Sequence, residues 1–352
     1  MSHRIILPLI FCILGSVAFG ETRVASWNIR NLGWENGKDY AALANVGGLF
    51  DFIAVQEVMN ESGINQLEAA LEARTGADWD RLCSHAIGAG SYKEMYCFTW
   101  RTDKIFWVEG ATVYLDDRDV FAREPFSAVF ETDDQIRFLA ASIHAIYGED
   151  VAGREAEANA LRGYHDWLHD SFPGLPVLLM GDFNLPPTNP AWAPLGEVAH
   201  PLIQNGATTI SSIDGRFANL YDNIWVDVEV DLPVSSYGKV EFPHQLLGIS
   251  HEAARESVSD HIPVYVILSA ERSERFAPLR FAGTRGRAEW SAPPISDVLD
   301  AGGSAPIIGN ARSKIYHLPG CPSYSAVGER NRKVFATESE AIAAGFRRAG
   351  NC

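Results

Sequence analysis

Positive charge is scarce in this chain: 29 Lys and Arg stand against 45 Asp and Glu, a formal net charge of −16. That balance excludes a general polyanion binder, because the field of the whole molecule repels such partners. A phosphorylated substrate would have to be drawn in by a local basic patch or by bound divalent cations, and the surplus of carboxylates favours the second. Cysteine is equally sparse, at 5 residues in 352, too few to replace a hydrophobic core with a disulfide scaffold. Internal repeats are missing, which excludes a solenoid or propeller. No apolar run reaches the roughly 20 residues that span a bilayer, so stable membrane insertion is not expected.

What is present begins with "MSHRIILPLIFCILGSVAFGE", where Arg4 precedes an apolar run from Ile5 to Val17 and small residues close the segment at Ala18 and Gly20. This pattern predicts a signal peptide over residues 1–20, and hence an exported protein, periplasmic or secreted; the competing assignment is a buried N-terminal helix. Cleavage would remove Arg4 and Cys12, leaving Cys83, Cys97, Cys321 and Cys352 in a chain one unit more negative. Cys83 and Cys97 flank the glycine-rich "IGAGS". A hairpin turning there would set them opposite each other, as a disulfide or as two buried thiols.

Hydrophobic residues make up 47% of the chain, enough for a sizeable core. Between residues 21 and 270, short apolar runs alternate with helical periodicity. "TRVASWNIR", "FDFIAVQEV", "RFLAASIHAI", "PVLLMGDFN", "DNIWVDVEV" and "HIPVYVILS" predict strands. "GINQLEAALEARTG" and "AGREAEANALRGYHDWLHDSF" predict amphipathic helices, giving a layered α/β domain. Residues 271–305 lack sustained periodicity and are rich in Ala, Pro, Gly and Arg, the mark of a linker. Residues 306–352 regain order, with Thr337 and Glu340 placed as a capping box before "AIAAGF".

Polar residues gather where the apolar strands end, the position at which open α/β sheets hold their ligands. Asn28 follows "VASW", Glu57 follows "FIAVQ" and His144 follows "LAASI". Asp182 and Asn184 follow "VLLMG", Asp222 and Asn223 open "IWVDV", and Asp260 with His261 precedes "IPVYVIL". Any one of these has a structural explanation as a cap, a turn or a satisfied core histidine. Six such strand ends in one domain share no such explanation.

Taken in order, "SWNIRNLG", "QEV", "SIHA", "GDFN", "YDNI" and "SDHIPV" resemble the signature of the endonuclease/exonuclease/phosphatase superfamily over residues 23 to 268. The resemblance implies a four-layered α/β sandwich of two mixed β-sheets flanked by helices, with metal-dependent phosphodiesterase activity. "GSYKEMYCFTWR" and "FAREPF" are similar to the deoxyribonuclease I branch. That likeness makes Glu94 the carboxylate that orients His144, Tyr92 a side chain reaching into the DNA minor groove, and Arg30 and Arg123 phosphate contacts. Such contacts position an enzyme on its substrate without selecting sequence.

The implied chemistry requires neutralised charge, an activated water and a proton donor. Glu57, Asp182 and Asp260 form the acidic set for Mg²⁺ or Mn²⁺, hard ions that prefer oxygen, with Ca²⁺ as a further structural ion. Asp182 also suits the attacking water, and Asn28 and Asn184 the phosphoryl oxygens. His144 with Glu94 and His261 with Asp222 supply two imidazoles for acid and base work. Two positions depart from the deoxyribonuclease pattern: Met59 replaces an arginine that enters the minor groove, and Ala207 replaces a metal-binding aspartate.

The tail, "SKIYHLPGCPSY" with "FATESEAIAAGFRRAGNC", looks like the small zinc-binding domain at the start of Ada-type DNA-repair proteins, an α+β unit. His317, Cys321 and Cys352 match ligand positions, and Ala349 stands where a fourth ligand belongs. Zn²⁺ binding, a Cys321 to Cys352 disulfide, and a bare helical cap all remain open. The expected protein is a monomeric nuclease acting on DNA, with RNA as an open further substrate. The alternative within the same fold is a phosphodiesterase for phospholipids, sphingomyelinase-like, or a phosphatase for inositol phosphates.

Overall fold

The computed structural model describes residues 20–34, 37–88, 92–148 and 150–270, then 307–311, 314–318, 332–335, 341 and 344–349. Most of the expected signal peptide, the linker, the Thr337/Glu340 capping box, Cys321 and Cys352 lie outside the described residues.

Two six-stranded mixed sheets pack face to face. The first comprises β1 (Thr22–Leu32), β2 (Phe52–Val58), β3 (Trp79–Cys83), β4 (Met95–Arg101), β11 (Val234–Lys239) and β12 (Val264–Leu268), in the order β11-β12-β1-β2-β4-β3. The second comprises β5 (Ile105–Val113), β6 (Phe126–Thr132), β7 (Arg137–His144), β8 (Val177–Asp182), β9 (Ala199–Pro201) and β10 (Asp222–Asp227), in the order β5-β6-β7-β8-β10-β9. Helices α1 (Tyr40–Gly47), α2 (Glu61–Thr75) and α5 (His251–Ser257) cover the first sheet; α3 (Val151–Ser171) and α4 (Ala193–Gly196) cover the second. The result is the four-layered sandwich of two mixed sheets that the motifs imply.

Strand periodicity explains the layers, since successive side chains point to opposite faces. In β1, Val24 enters the core between the sheets, whereas Ala25, Trp27 and Ile29 enter the core under the helices. The inter-sheet core is aromatic: Phe52, Phe98, Phe126, Phe130 and Phe138 are all wholly or almost wholly buried. A polar bridge crosses it. Gln56 Nε2 of β2 donates to Ser142 Oγ of β7 at 2.9 Å and to Ser26 Oγ of β1 at 3.2 Å. A buried, satisfied network of this kind fixes one alignment of two apolar faces that could otherwise slide.

Cys83 and Cys97 are register partners across β3 and β4 and are joined as a disulfide, with Cα atoms 4.1 Å apart. Among the described residues no helix is long and apolar enough to cross a membrane. Residues 307–349 contribute a separate four-stranded sheet of β13 (Ile307–Asn310), β14 (Ile315–His317), β15 (Arg332–Phe335) and β16 (Arg347–Arg348), around Ile307, Tyr316, Phe335 and Phe346.

Candidate active site

The chemistry-bearing strand ends of both sheets meet in a cleft of about 700 Å³. His144 and Asp182 close the parallel strands β7 and β8 as direct register partners, and Asp222 opens β10 opposite Asp182. This juxtaposition depends on Gly181. Its φ is +152°, and a Cβ added there would lie 1.8 Å from the Ile143 carbonyl oxygen, closer than atoms can approach. Only glycine allows β7 and β8 to meet at this point.

From the first sheet come Asn28 and Glu57. Strict alternation along β2 would place Glu57 on the helix-covered face with Ile53 and Val55. Instead the β2–β4 register shifts between Val55 and Val58, and Glu57 adopts φ +59°. A bulge with a left-handed residue costs backbone energy and is commonly retained where a side chain must be re-aimed for function. Here it brings Glu57 beside Asn28, whose Nδ2 donates to Glu57 Oε1 at 3.0 Å and to Asp182 Oδ2 at 3.2 Å. Asn31 N–H donates to the other Glu57 oxygen at 2.9 Å.

Asp182 Oδ2 is the focus. His144 Nε2 and His261 Nε2 each stand 3.6 Å from it. Behind each ring is a buried carboxylate: Glu94 Oε1 lies 2.9 Å from His144 Nδ1, and Asp222 Oδ2 lies 2.8 Å from His261 Nδ1. A carboxylate on Nδ1 fixes the tautomer that presents Nε2 to the cleft. Further bonds hold the rings in place. His144 N–H donates to Tyr96 Oη at 2.9 Å. Ser259 Oγ donates to the Asn28 carbonyl at 2.6 Å and accepts from His261 N–H at 3.1 Å, which ties the "SDH" segment to β1.

The electrostatics follow from burial and charge placed in opposition. Burial disfavours the imidazolium of His144, but the Glu94 charge and its hydrogen bond outweigh that and raise its pKa. His261 is raised well above its ordinary value against the same penalty, by Asp222 and Asp182. Asp182, though buried, is held below the usual carboxylate range by the two imidazoles and by hydrogen bonds from Asn184 N–H and Asn28. Burial likewise opposes ionisation of Glu94, and His144 and Arg123 overcome it.

Several sequence-derived roles need revision in detail. Both amide hydrogens of Asn28 are engaged by Glu57 and Asp182, so it offers its Oδ1, a buried acceptor without a partner. Asn184 Nδ2 donates to the Ala145 carbonyl at 2.9 Å, leaving one hydrogen for substrate. Asp260 lines the same cleft as Asp182 and Glu57 and also faces two arginines. It lies 3.6 Å from Arg255 Nη2 and 3.8 Å from Arg30 Nε. Arg123 spends Nε and Nη2 on the carbonyls of His144 and Ala145, at 3.0 Å each, so it braces the catalytic strand end while bordering the cleft. Tyr92 stands at the rim, its hydroxyl 3.3 Å from Glu94 Oε2 and its ring edge-to-face with Trp34. The departures are visible too: Met59 Sδ lies 4.0 Å from Tyr92 Oη, and the Ala207 carbonyl accepts from Lys239 Nζ at 3.2 Å. His317 ends β14, buried, with Nδ1 unpartnered.

Sequence reasoning missed residues that act from behind. Tyr96 and Ser259 lie inside sequence motifs that assign them no role, and Glu157 lies in no motif. Glu157 of α3 is buried and accepts from Ala122 N–H and Ile146 N–H at 2.7 Å each, suturing the segments that carry Arg123 and His144. Trp34 and Tyr147 are exposed aromatics on the cleft wall, and single exposed aromatics are too common in sequences to mark a site.

The donor set suits a hard divalent cation. Glu57 keeps free lone pairs on both oxygens, the adjacent Asn28 Oδ1 is buried and unpartnered, and Asp182 is ionised. All are oxygen ligands of the kind Mg²⁺ and Mn²⁺ select.

Comparison with known proteins now decides the family. The model for the "Endonuclease/Exonuclease/phosphatase family" matches residues 25–261. The chain belongs to this family. A deoxyribonuclease of Thioalkalivibrio sp. (strain K90mix) is 49% identical over 268 residues, covering 74% of each chain. Deoxyribonuclease-1 of Gallus gallus is 27% identical over 290 residues, 76% of this chain and 99% of that one. A solved family structure from Bacteroides thetaiotaomicron aligns with a TM-score of 0.52 at 20% identity, over 73% of this chain and 99% of the other, and supports the fold. As a member of this family the chain is a hydrolase of phosphodiester bonds.

Proposed function

We propose that the protein is an exported, divalent-cation-dependent endonuclease that hydrolyses DNA with little sequence preference. The observation that carries this reading is the convergence of two imidazole Nε2 atoms, each backed by a buried carboxylate, on Asp182 Oδ2 at 3.6 Å. Hydrolysis of a phosphodiester needs two proton transfers, one from the attacking water and one to the leaving oxygen. Two imidazoles that converge on one carboxylate can serve both. Asp182 accepts a hydrogen bond from the water and holds it between them.

Glu57 and Asn28, with Asp182, would hold Mg²⁺ or Mn²⁺, which when bound supplies charge neutralisation at the phosphoryl oxygens and leaving group. Arg30 and Arg255 contribute local positive charge at the cleft, where a chain of net charge −16 otherwise repels nucleic acid. Trp34, Tyr92 and Tyr147 give the rim aromatic faces suited to sugars and bases.

The deoxyribonuclease relatives support DNA as substrate, and the apolar segment at residues 5–17 together with the Cys83–Cys97 disulfide supports export into an oxidising compartment. The test is incubation of the purified chain with supercoiled plasmid and Mg²⁺ or Mn²⁺, alongside chelator and His261→Ala. Cation-dependent nicking lost in the variant is expected. Intact plasmid, with hydrolysis of sphingomyelin or an inositol phosphate under the same conditions, would move the substrate to those classes.

A further inference from the structure

A second cluster of metal-type side chains lies away from the cleft. His165 and His169 sit one helical turn apart on α3, and Asp227 ends β10. Their ligand atoms all fall within 4.8 Å of one another. Strand β10 begins with Asp222 in the active site, so five residues at ~3.3 Å each place Asp227 roughly 17 Å away along the strand. We propose that His165, His169 and Asp227 form a transition-metal site, suited to Zn²⁺, that clamps α3 to the far end of β10.

The geometry is that of a ligand set. Two histidines at i and i+4 on one helical face are a recurrent metal pair. His165 Nε2 and His169 Nε2 both approach the same oxygen, Asp227 Oδ1, at 2.6 and 3.1 Å. Asp227 Oδ2 accepts from Val177 N–H at 2.7 Å, the kind of supporting bond that orients a ligating carboxylate.

Ligand atoms on a tetrahedral ion with bonds of 2.0–2.1 Å lie about 3.3 Å apart. His169 is almost there, and His165 must withdraw by about 0.7 Å, a small ring rotation. Nδ1 of His165 is buried without a partner, so it is free to take up the ring proton that Nε2 shares with Asp227 and must give up when the metal binds. His165 is 3% exposed and the His169 side chain 26%, which gives an entry path and room for a fourth, solvent ligand. Imidazole nitrogens favour Zn²⁺ over the hard ions of the active site. The other end of α3 carries Glu157, which braces the segments beside His144, so the clamp secures the helix on which that brace depends.

The test uses the full chain, stripped of metal by chelator, then dialysed against Zn²⁺ and compared with His169→Gln, a partly exposed position outside the catalytic machinery. The wild type should retain one equivalent more zinc than the variant. Zinc at a hundredfold excess over Kd should raise its melting temperature by roughly 5–10 °C, with a smaller rise in the variant, while Mg²⁺-dependent hydrolysis is the same for both. Equal zinc content and equal melting shifts would overturn the proposal. Imidazole NMR of the wild type gives a readout independent of any variant: the His165 and His169 signals should shift with the first equivalents of Zn²⁺, and unmoved signals refute the site.

Discussion

Replacing Glu94 by Gln is the sharpest probe of the catalytic arrangement, because it keeps shape and one acceptor while removing charge. Glu94 is fully buried, and both of its oxygens lie within 3.0 Å of His144 Nδ1. A hydrogen bond to a charged group contributes about 1.5–3 kcal/mol. If that stabilisation is expressed at the reacting imidazole, its loss lowers kcat/KM roughly 10- to 150-fold. The pH profile supplies a second readout. Glu94 raises the His144 pKa above its ordinary 6.5, so the limb of the profile that reports His144 moves to lower pH in the variant. Stability follows with the same sign. A raised histidine stabilises the fold fully below the unfolded value and loses that contribution as pH rises through the folded one, and the loss should be absent in Glu94→Gln. The assay is plasmid nicking from pH 5 to 9, with thermal melts over the same range. A variant within threefold of wild type and with an unmoved profile would refute the orienting role.

Three further outcomes are expected. Gly181→Ala should lower stability by more than about 4 kcal/mol or abolish folding, since its Cβ overlaps the Ile143 carbonyl; a soluble variant with an unchanged melt would contradict the β7–β8 approach. Met59→Arg, at the rim beside Tyr92, should tighten binding to duplex DNA and steepen the slope of log K against log salt by about one ion, measured by anisotropy under chelator; an unchanged slope would place residue 59 off the DNA path. Lys38 has its pKa lowered from 10.5 to about 8, chiefly by burial. Between those values the unfolded chain binds the proton and the folded chain does not, so stability should rise with pH there; melts of wild type and Lys38→Met should differ by that slope.

The sequence reveals most where burial on both faces makes strands continuously apolar. Residues in β1, β2, β7, β8, β10 and β12 are legible for that reason, and so are α2 and α3 from their periodicity. β5 is not: it is an edge strand in which Phe106, Trp107 and Val108 are exposed, and its pattern gives no core face. The short helix α1 and the three-residue β9 fall below any periodicity. In the site, residue types at strand ends and motif order point to Asn28, Glu57, His144, Asp182 and His261. What stays illegible is geometry set by backbone exceptions and long-range bonds. The left-handed conformation of Glu57, the double engagement of Asn28 and the pairing of Asp260 with Arg30 and Arg255 each depend on segments far apart in sequence.

The reactive groups are split between the two sheets: Asn28, Glu57 and Glu94 belong to the first, and His144, Asp182 and Asp222 to the second. Neither half holds a complete set, and the chain crosses from one sheet to the other and back before His261 is in place. Hydrolysis therefore begins only once the faces around Gln56 have docked. A refolding population can be timed by its first cut, because a molecule with one sheet formed and the other loose has no partial activity to give.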